Sequence, residues 1–555
     1  MSAVDGYAQD VVAGRRLAGR YHRLACARHL RDREREPSRA FPYYFDPARA
    51  ARFVRFAEAL THYKGEWAGQ PIRLERHQHF RLGSVFGWLH RETGLRRFRT
   101  AYNEIPRKNG KSLEAALVAL YVTFFDGEAG AEGYCVAMKR EQAKLVFNDG
   151  KRLVKHSGLR YRIDGAFAKQ GALVREATDS KLEPLGADSD STDGLNPSLV
   201  VFDEFHAQKT RDMIDVMETA LGARQQPLMY QITTAGQDLR TPCGDQHHYA
   251  CQILDRVLRD DTFFAFIAHA DKDDPPFEER TWRKANPNYG ISIKPADLKA
   301  LARKAQHMPP AAAAFKQKRL NLWVLAGETW LSIEGWQAGQ SSWDAAALAG
   351  KACWIGIDMS SKLDLTAVVC LFPPDDDCPR WRVLARCLTP EDTLDDRAHR
   401  DRAPYREWVP RGWLETNPGK RIDQNVVRDW VDEAAARFQV RAIGVDPWNA
   451  GNLVQTLGDA GFLAIEVPQT FNQMSQPSKE FEADVLEGLV DSGGNELLQW
   501  CVSNAVAQMD GKENIYPTKR KSRGRIDPVV ATVIARKLAS LDLDNAADDP
   551  ELVVA

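Results

Sequence analysis

The hydrophobic positions between about residues 70 and 325 alternate between two patterns. Helix-like stretches such as residues 112–120 separate short β-rich runs at residues 100–103, 133–137, 199–202 and 228–232. Strands that alternate with helices form parallel βαβ units, in which helices cover both faces of the sheet. This half of the chain is therefore predicted to be an α/β domain with a parallel sheet.

A second α/β block follows a change in pattern. The residues from about 326 to 350 mix Gly, Ser and Trp with little periodicity, and a new apolar strand begins near residue 352. Such segments commonly mark domain boundaries. We therefore expect an N-terminal helical Arg-rich segment packed on the first domain (1–60), the first α/β domain (61–330), a linker (331–350), the second α/β domain (351–541) and an acidic, disordered tail (542–555).

The N-terminal segment is unusually rich in arginine. Eight Arg lie between Arg15 and Arg35, and Leu17, Tyr21 and Leu24 recur among them at intervals of about three or four. This spacing predicts an amphipathic helix over about residues 10–36. The favoured interpretation is a helix with a solvated face that packs on the first domain, and the alternative is a surface that contacts DNA or a partner subunit.

Composition adds limits to this outline. A chain of 555 residues is too long for one ordinary core, so two large domains or three smaller ones are expected. Hydrophobic residues make up 44% and charged residues 27%, which is typical of a globular protein. The formal net charge is −1, so any nucleic acid must be bound by a local basic face.

The cysteines and the N-terminus bear on the compartment. The nine Cys form no regular framework, which favours free thiols in a reducing compartment. The first residues lack the pattern of a secretory signal, and no apolar run approaches the ~20 residues that span a bilayer. We expect a cytosolic protein that is neither secreted nor bound to a membrane.

A phosphate-binding loop is the first candidate for chemistry. Between a strand that ends near Asn103 and a helix that starts near Ser112, the chain reads Pro106-Arg107-Lys108-Asn109-Gly110-Lys111-Ser112. In such a loop the backbone N–H groups face the phosphates of ATP, the lysine reaches the β- and γ-oxygens, and the serine holds Mg²⁺. Ile105 stands where the first glycine of the motif is usual, and the motif alone is weak evidence.

Two acids about ninety residues downstream strengthen this prediction. An apolar run at residues 199–202 ends in Asp203 and Glu204. At the carboxyl end of a buried parallel strand, Asp203 is suited to the Mg²⁺ shell and Glu204 to orienting or deprotonating the attacking water. The alternative is that both are ordinary surface acids at a strand end.

Three weaker signals surround this site. A third strand ends in Thr233 and Thr234, whose hydroxyls are placed where a γ-phosphate sensor is useful, although taken alone an ordinary strand-to-turn transition is the favoured interpretation. The amide of Gln78 is a candidate for reading the adenine edge with one donor and one acceptor. The Cys and His residues between Cys243 and Cys251 lack the usual spacing of zinc ligands, so we favour a segment that binds no zinc there.

The second domain contains three acids in a recurring context. Asp358 and Asp446 each end an apolar strand, and Asp527 begins a helix that is predicted to run to about Leu541. An RNase H-like fold gathers carboxylates in this way around two Mg²⁺ or Mn²⁺ ions for phosphodiester cleavage. A basic run from Lys519 to Arg525 lies just before Asp527, where a phosphate backbone would approach, although a merely solvated loop is the alternative.

Taken together, these residues give the chain a family resemblance. It resembles the large terminase subunit of tailed bacteriophages over nearly its whole length, from the Arg-rich start to about residue 540. The shared features are the loop with its missing first Gly, the run Asp193-Gly194-Leu195-Asn196-Pro197 leading into Asp203 and Glu204, Thr233-Thr234-Ala235-Gly236, Lys284-Ala285-Asn286-Pro287 and the three acids of the second domain.

The resemblance implies a P-loop ATPase domain of additional-strand type followed by an RNase H-like endonuclease domain. It implies a motor that moves double-stranded DNA into a procapsid and cuts concatemeric DNA, assembled as a homo-oligomeric ring on the portal protein with a small terminase subunit as partner. The expected location is the host cytoplasm, with transient docking on the portal. By this likeness Arg107 contacts the γ-phosphate or toggles during hydrolysis. A trans-acting arginine finger is common in such rings, but no arginine here matches its pattern, and Arg224 is named only as a guess.

Two other classes of protein agree less well with these residues. A helicase or restriction-type translocase fused to a nuclease would need strand-separating or base-modification elements, which we do not find in the sequence. A non-catalytic DNA-binding or scaffolding protein would not need Lys111, Asp203, Glu204 and the three acids of the second domain together.

Overall fold

A computed structural model divides the chain into two compact units, residues 1–326 and 327–555. Some of the positions discussed above lie outside the described residues. They are the predicted tail from residue 549 onwards, residues 187–193 before the strand that ends in Asp203, and Lys521 and Arg523 of the basic run. The structure describes residues 2–137, 139–161, 163, 171–186, 194–208, 210–236, 239, 241–323, 330–359, 365–401, 403–420, 422–447, 452–510, 512–520, 522 and 524–548.

The first unit is built on a seven-stranded sheet in the order β5-β6-β4-β7-β8-β3-β9. All neighbours are parallel except β5, which runs antiparallel to β6. The strands are β3 (Thr100–Glu104), β4 (Glu132–Ala137), β5 (Leu173–Arg175), β6 (Ser180–Gly186), β7 (Leu199–Asp203), β8 (Leu228–Thr233) and β9 (Phe263–Ile267), and a separate antiparallel pair is formed by β1 (Tyr43–Phe45) and β2 (Trp88–His90).

The strand order assigns this sheet to a subclass of P-loop folds. Strand β3 precedes the predicted phosphate loop and β7 carries the predicted acids, and β8 lies between them. A strand inserted between these two is the arrangement expected of an additional-strand P-loop domain. Eleven α-helices accompany the sheet in the described residues: α1 (Ala3–Val12), α2 (Arg20–Arg35), α3 (Pro47–Glu58), α4 (Arg76–Gly87), α5 (Lys111–Phe124), α6 (Arg140–Lys155), α7 (Asp212–Ala220), α8 (Pro242–Leu254), α9 (Glu279–Ala285), α10 (Pro295–His307) and α11 (Pro309–Leu320).

The N-terminal segment packs on the edge of this sheet. The predicted single helix over residues 10–36 is two helices, because α1 ends at Val12, Gly14 takes a positive φ of 74° and α2 begins only at Arg20. Gly19, just before α2, packs so closely on the first unit that a Cβ atom there would lie 2.2 Å from the carbonyl oxygen of His269. The Arg28 guanidinium donates to the Phe263 and Asp260 carbonyl oxygens at 2.7 Å each. At least this arginine is used internally and is not part of a solvated face.

The second unit contains a sheet in the order β13-β12-β11-β10-β14-β15, with β16 beside β12. Strand β11 runs antiparallel to both β10 and β12, whereas β14 is parallel to β10 and β15. This is the mixed order of an RNase H-like core. The strands are β10 (Ala352–Asp358), β11 (Thr366–Phe372), β12 (Trp381–Pro390), β13 (Leu414–Asn417), β14 (Gln439–Val445), β15 (Ala464–Glu466) and β16 (Val490–Asp491), and a hairpin is formed by β17 (Ala507–Met509) and β18 (Ile515–Pro517).

Helices cover this sheet, and α19 lies across the central strands β10 and β11. Buried side chains such as Ile355, Val431 and Ile443 form the core on the face packed by α15. The helices are α12 (Ile333–Gly339), α13 (Leu394–Asp401), α14 (Tyr405–Trp408), α15 (Gln424–Arg437), α16 (Leu453–Asp459), α17 (Phe471–Leu486), α18 (Glu496–Asn504) and α19 (Asp527–Asp548).

Two predicted boundaries differ from the structure. The predicted linker, residues 331–350, is largely folded into the second unit: Trp336 of α12 is buried, and Gln340 Nε2 donates to the Val490 carbonyl oxygen at 3.0 Å. Helix α19 continues to Asp548, beyond the predicted start of the tail at residue 542. In the described part of the chain, we find no helix long and apolar enough to cross a membrane.

Candidate functional site

The phosphate loop has the backbone geometry that its sequence predicts. Strand β3 ends at Glu104, Lys108 and Gly110 take positive φ angles of 72° and 81°, and helix α5 begins at Lys111. The positive φ at Gly110 favours glycine because a Cβ atom is strained there. Together the turn and the amino end of α5 form a concave surface of N–H groups, which is suited to anionic phosphates.

Lys111 connects this loop to the end of β8. Its side chain is 7% exposed, and its ammonium donates to the Ile105 carbonyl oxygen at 2.7 Å and to the Thr234 hydroxyl. Burial lowers the Lys111 pKa to about 8, against the opposing charges of Glu204 and Asp203. Ile105, which stands where the first glycine is usual, contributes its backbone carbonyl to this contact, and its side chain is buried in the core.

A polar segment after α9 holds the loop from the other side. Asn109 Nδ2 donates to Asn286 Oδ1 at 3.0 Å, and the Asn288 backbone N–H donates to Asn109 Oδ1 at 3.1 Å. The Ser292 hydroxyl donates to the Lys108 carbonyl oxygen at 2.6 Å. Asn288 and Ser292 were not predicted, because nothing local in their sequence shows that they face a loop about 180 residues away.

The remaining predicted residues of this site have different surroundings. Ser112 and Arg107 are exposed, and the Arg107 backbone N–H donates to the Lys318 carbonyl oxygen at 3.0 Å. Gln78 is buried, and its side-chain oxygen Oε1 accepts a hydrogen bond from the Glu75 backbone N–H at 2.9 Å. Its side-chain nitrogen Nε2 would lie 3.5 Å from a Cβ atom on Gly110. Gln78 therefore lies beside the loop, and its contact with adenine stays a prediction.

Asp203 ends β7 and Glu204 follows it, and both lie close to Thr233 and Thr234 at the end of the neighbouring strand β8. Burial, followed by the charge of Glu204, raises the Asp203 pKa to about 6. Glu204 takes a positive φ of 49°, and its carboxylate is 3.2 Å from His206 Nδ1. The His206 backbone N–H donates to the Thr233 hydroxyl at 3.0 Å. His206 thus joins Glu204 to the end of β8, a role that the sequence did not reveal.

The structure gives the surroundings of two weaker predictions. The Arg224 guanidinium donates to the Asn196 and Gly130 carbonyl oxygens at 2.9 and 2.6 Å, near the amino ends of the strands and far along them from Asp203. The guess that Arg224 acts on a neighbouring subunit therefore has no support. His247 of the Cys-rich helix α8 is paired with the buried Glu104 at 2.7 Å, as in an ordinary helix contact.

In the second unit, the fold brings the three predicted acids to one edge of the sheet. Strands β10 and β14 are parallel neighbours, with Ile357 opposite Val445, so Asp358 and Asp446 follow at the same level. Helix α19 packs on β10 and begins at Asp527. The exposed fractions of Asp358, Asp446 and Asp527 are 0%, 7% and 0%.

A lysine lies among these acids. The Lys519 ammonium is 3.0 Å from Asp358 Oδ1 and 2.7 Å from Asp527 Oδ1, and Gln469 Nε2 donates to Asp446 Oδ2 at 2.6 Å. Burial raises the Asp358 pKa, and the neighbouring acids raise it further against the effect of Lys519. Among the described residues, no group of three or more His, Cys, Asp or Glu side chains forms a ready-made metal site.

These two sites, one on an additional-strand P-loop sheet and one on an RNase H-like sheet, define an ATPase fused to a nuclease. The family model for the terminase large subunit ATPase domain matches residues 76–252, and that for the terminase large subunit endonuclease domain matches residues 257–541. The chain belongs to the terminase large subunit family. It is an ATPase and a nuclease that acts in the packaging and cleavage of phage DNA.

Individual relatives agree with this assignment. The large terminase subunit of Enterobacteria phage HK97 is 28% identical over 512 residues, which is 90% of this chain and 97% of that protein. Protein YmfN of Escherichia coli (strain K12) is 29% identical over 357 residues, 62% of this chain and 77% of that protein. The crystal structure of the HK97 large terminase matches with a TM-score of 0.51 and 26% identity over 88% of this chain and 99% of that chain.

Proposed function

We propose that ATP is hydrolysed at the phosphate loop by a small set of residues with separate roles. Lys111 and the loop N–H groups bind the β- and γ-phosphates, Ser112 and Asp203 hold Mg²⁺, and Glu204 orients the attacking water. The observation that supports this best is the contact of Lys111 with Thr234. It places the cation of the loop beside the end of β8, next to the strand that carries the two acids.

Thr233 and Thr234 then act as the element that responds to the γ-phosphate. Thr234 contacts Lys111 directly, and Thr233 is joined to Glu204 through His206. The end of β8 is therefore linked both to the residue that binds the phosphates and to the residue that orients the water. A shift of Lys111 towards a bound phosphate changes the surroundings of Thr234 directly. Arg107, which is exposed at the mouth of the loop, is placed to approach the same phosphate from solvent.

We propose that Asp358, Asp446 and Asp527 form the DNA-cleaving site and hold two Mg²⁺ or Mn²⁺ ions. Three buried carboxylates at one sheet edge fit this group, because oxygen donors and excess negative charge are what these ions require. When bound, such ions activate water and stabilise the leaving oxygen in phosphodiester cleavage. The chain itself fixes the three carboxylates on two parallel strands and one helix end.

The wider setting follows from family membership. We propose that the protein translocates double-stranded DNA as a homo-oligomeric ring docked on the portal protein, in the host cytoplasm, and that a small terminase subunit delivers the DNA. Because the net charge is −1, the DNA is expected to follow local basic surfaces such as the one around the exposed Arg520.

Two substitutions separate the two activities. Glu204→Ala is expected to abolish DNA-dependent ATP turnover and leave Mn²⁺-dependent plasmid cleavage intact, and Asp358→Ala is expected to do the reverse. The matched controls, Glu218→Ala and Asp429→Ala, remove acids on surface helices of the same units and are expected to leave both activities unchanged. Undiminished cleavage by the Asp358→Ala protein would refute the proposed nuclease site.

A further inference from the structure

Two of the three acids in the second unit, Asp358 and Asp527, are paired with the same lysine, Lys519. The Lys519 ammonium contacts both oxygens of Asp358 at 3.0 Å and one oxygen of Asp527 at 2.7 Å. Both carboxylates are fully buried, whereas the lysine side chain keeps 30% of its surface exposed. The ammonium therefore joins two buried carboxylates to a side chain that is itself partly exposed to solvent.

The backbone around Lys519 is held in place. The Thr518 N–H donates to the Val506 carbonyl oxygen at 3.0 Å, and the Ser522 hydroxyl donates to the Thr518 carbonyl oxygen at 2.8 Å. The Val506 N–H in turn donates to the Ser522 hydroxyl at 3.1 Å. The turn after β18 is thus fixed to the end of α18 and the start of β17, so the position of the ammonium is set by the fold.

Electrostatics explains why the chain places a cation there. Carboxylates buried near one another repel when ionised, and a buried charge without a partner is strongly destabilising. Lys519 supplies that partner, because its ammonium lies 3.0 Å from both oxygens of Asp358 and 2.7 Å from one oxygen of Asp527. The ammonium is therefore an integral part of the folded acid cluster.

A divalent cation would need the same oxygens. With Lys519 in place, two positive charges would lie within a few ångströms of each other in a region of low dielectric, where their repulsion is strong. We propose that Lys519 is an internal counter-cation that competes with the metal for Asp358 and Asp527 and so sets the metal concentration at which the nuclease site fills. This inference rests on the proposed nuclease function of the three acids.

Metal binding measured on the full chain tests the inference without any cleavage assay. Isothermal titration with Mn²⁺ is compared between the wild type, Lys519→Ala and Arg520→Ala, an exposed neighbour whose loss removes the same charge from the same turn. Lys519→Ala is expected to bind Mn²⁺ about tenfold more tightly or better, because the metal no longer has to displace a competing cation. Arg520→Ala is expected to stay within about twofold of the wild type, and Lys519→Arg, which keeps the charge, is expected to behave like the wild type.

Thermal unfolding provides a second readout. Without metal, Lys519→Ala is expected to melt at a lower temperature than the wild type, and the increase in melting temperature on adding Mn²⁺ is expected to be larger, because tighter binding stabilises the folded state more. Should Lys519→Ala fail to fold, Lys519→Gln keeps most of the side-chain volume without the charge and is expected to give the same tighter binding.

The outcomes separate the inference from the proposed function. If the wild type binds Mn²⁺ and neutral variants of Lys519 bind it equally or more weakly, the lysine is not a competitor and the inference is overturned, while the nuclease assignment stands. If the Asp358→Ala protein binds Mn²⁺ as tightly as the wild type does, the metal does not bind at these acids and the proposed nuclease site itself is refuted.

Discussion

Gly356 lies at the centre of β10, directly beneath helix α19. A Cβ atom at this position would lie 1.9 Å from the Ala531 carbonyl oxygen and 2.9 Å from the Ala535 backbone nitrogen. Both atoms belong to the helix backbone, so no side-chain rotation relieves the clash. Gly356→Ala therefore forces α19 away from the strand that ends in Asp358.

The size of this displacement follows from the structure. An ordinary contact of a Cβ atom begins at 3.4 Å, so the helix has to move by about 1.5 Å at Ala531. Overpacking of this kind costs about 1–3 kcal/mol, which a folded unit of this size tolerates. The same movement shifts Asp527, one turn earlier on α19, relative to Asp358. A misplacement of about 1 Å at reacting groups costs about a hundredfold in rate.

Gly356→Ala is therefore expected to lower Mn²⁺-dependent plasmid cleavage about a hundredfold while ATP turnover by the same preparation is retained. Gly458→Ala is the matched control, because a Cβ atom on that glycine of α16 meets nothing within 4 Å and is expected to leave cleavage unchanged. Cleavage at the wild-type rate by a folded Gly356→Ala protein would refute the argument that the spacing of β10 and α19 positions the acids.

Three further predictions concern the first unit. Thr234→Val removes one hydroxyl partner of the loop lysine, worth about 1–1.5 kcal/mol, and is expected to lower kcat for ATP about tenfold with nucleotide affinity nearly unchanged. Arg81→Met removes the only cation paired with the fully buried Glu114 in the described residues, which keeps a hydrogen bond from Tyr230, and is expected to destabilise the unit by about 3–5 kcal/mol in urea unfolding, with recovery in the Arg81→Met, Glu114→Leu double variant. Burial by itself lowers the His247 pKa, but Cys251 and Glu104 outweigh burial and raise this pKa from 6.5 to about 10. The resulting stabilisation is complete below pH 6.5 and disappears as the pH rises through 10, so the wild type is expected to lose more stability than His247→Gln between pH 6 and pH 10.

Each of these has a contradicting result. A fall in nucleotide affinity equal to the fall in kcat in Thr234→Val would mean that the hydroxyl serves binding alone. Failure of the double variant to recover stability would mean that Arg81 and Glu114 contribute through separate interactions. Parallel pH profiles for His247→Gln and the wild type would mean that the imidazole is not held in its charged form by Glu104.

The sequence predicts those parts of the site that depend on local pattern. The phosphate loop needs a strand, a turn with positive φ at Gly110 and a helix that begins at Lys111, and all three are encoded within about fifteen residues. The strand that leads to Asp203 in the first unit, and the strands that lead to Asp358 and Asp446 in the second, are likewise visible as apolar runs followed by an acid. Parallel strands then bring their carboxyl ends to one edge, so proximity follows from the fold class.

Contacts between distant segments are not visible in the sequence. Lys519 appears in the sequence only as one of several basic residues, and its position between two acids depends on the hairpin before α19. Asn288 supports the phosphate loop from about 180 residues away, and its surroundings give no local signal. The folded part of the predicted linker was missed because α12 is short and its few apolar residues, such as Trp336, do not form a periodic pattern.

We place a nucleotide site on the first sheet of this chain and a metal-dependent nuclease site on the second. Anomalous scattering from crystals of the full chain grown with a non-hydrolysable ATP analogue and soaked in Mn²⁺ tests both at once. We expect manganese beside Ser112 and Asp203, with the phosphates on Lys111, and manganese among Asp358, Asp446 and Asp527. Ordered manganese elsewhere, with none at the three acids of the second unit, would refute the proposed nuclease site.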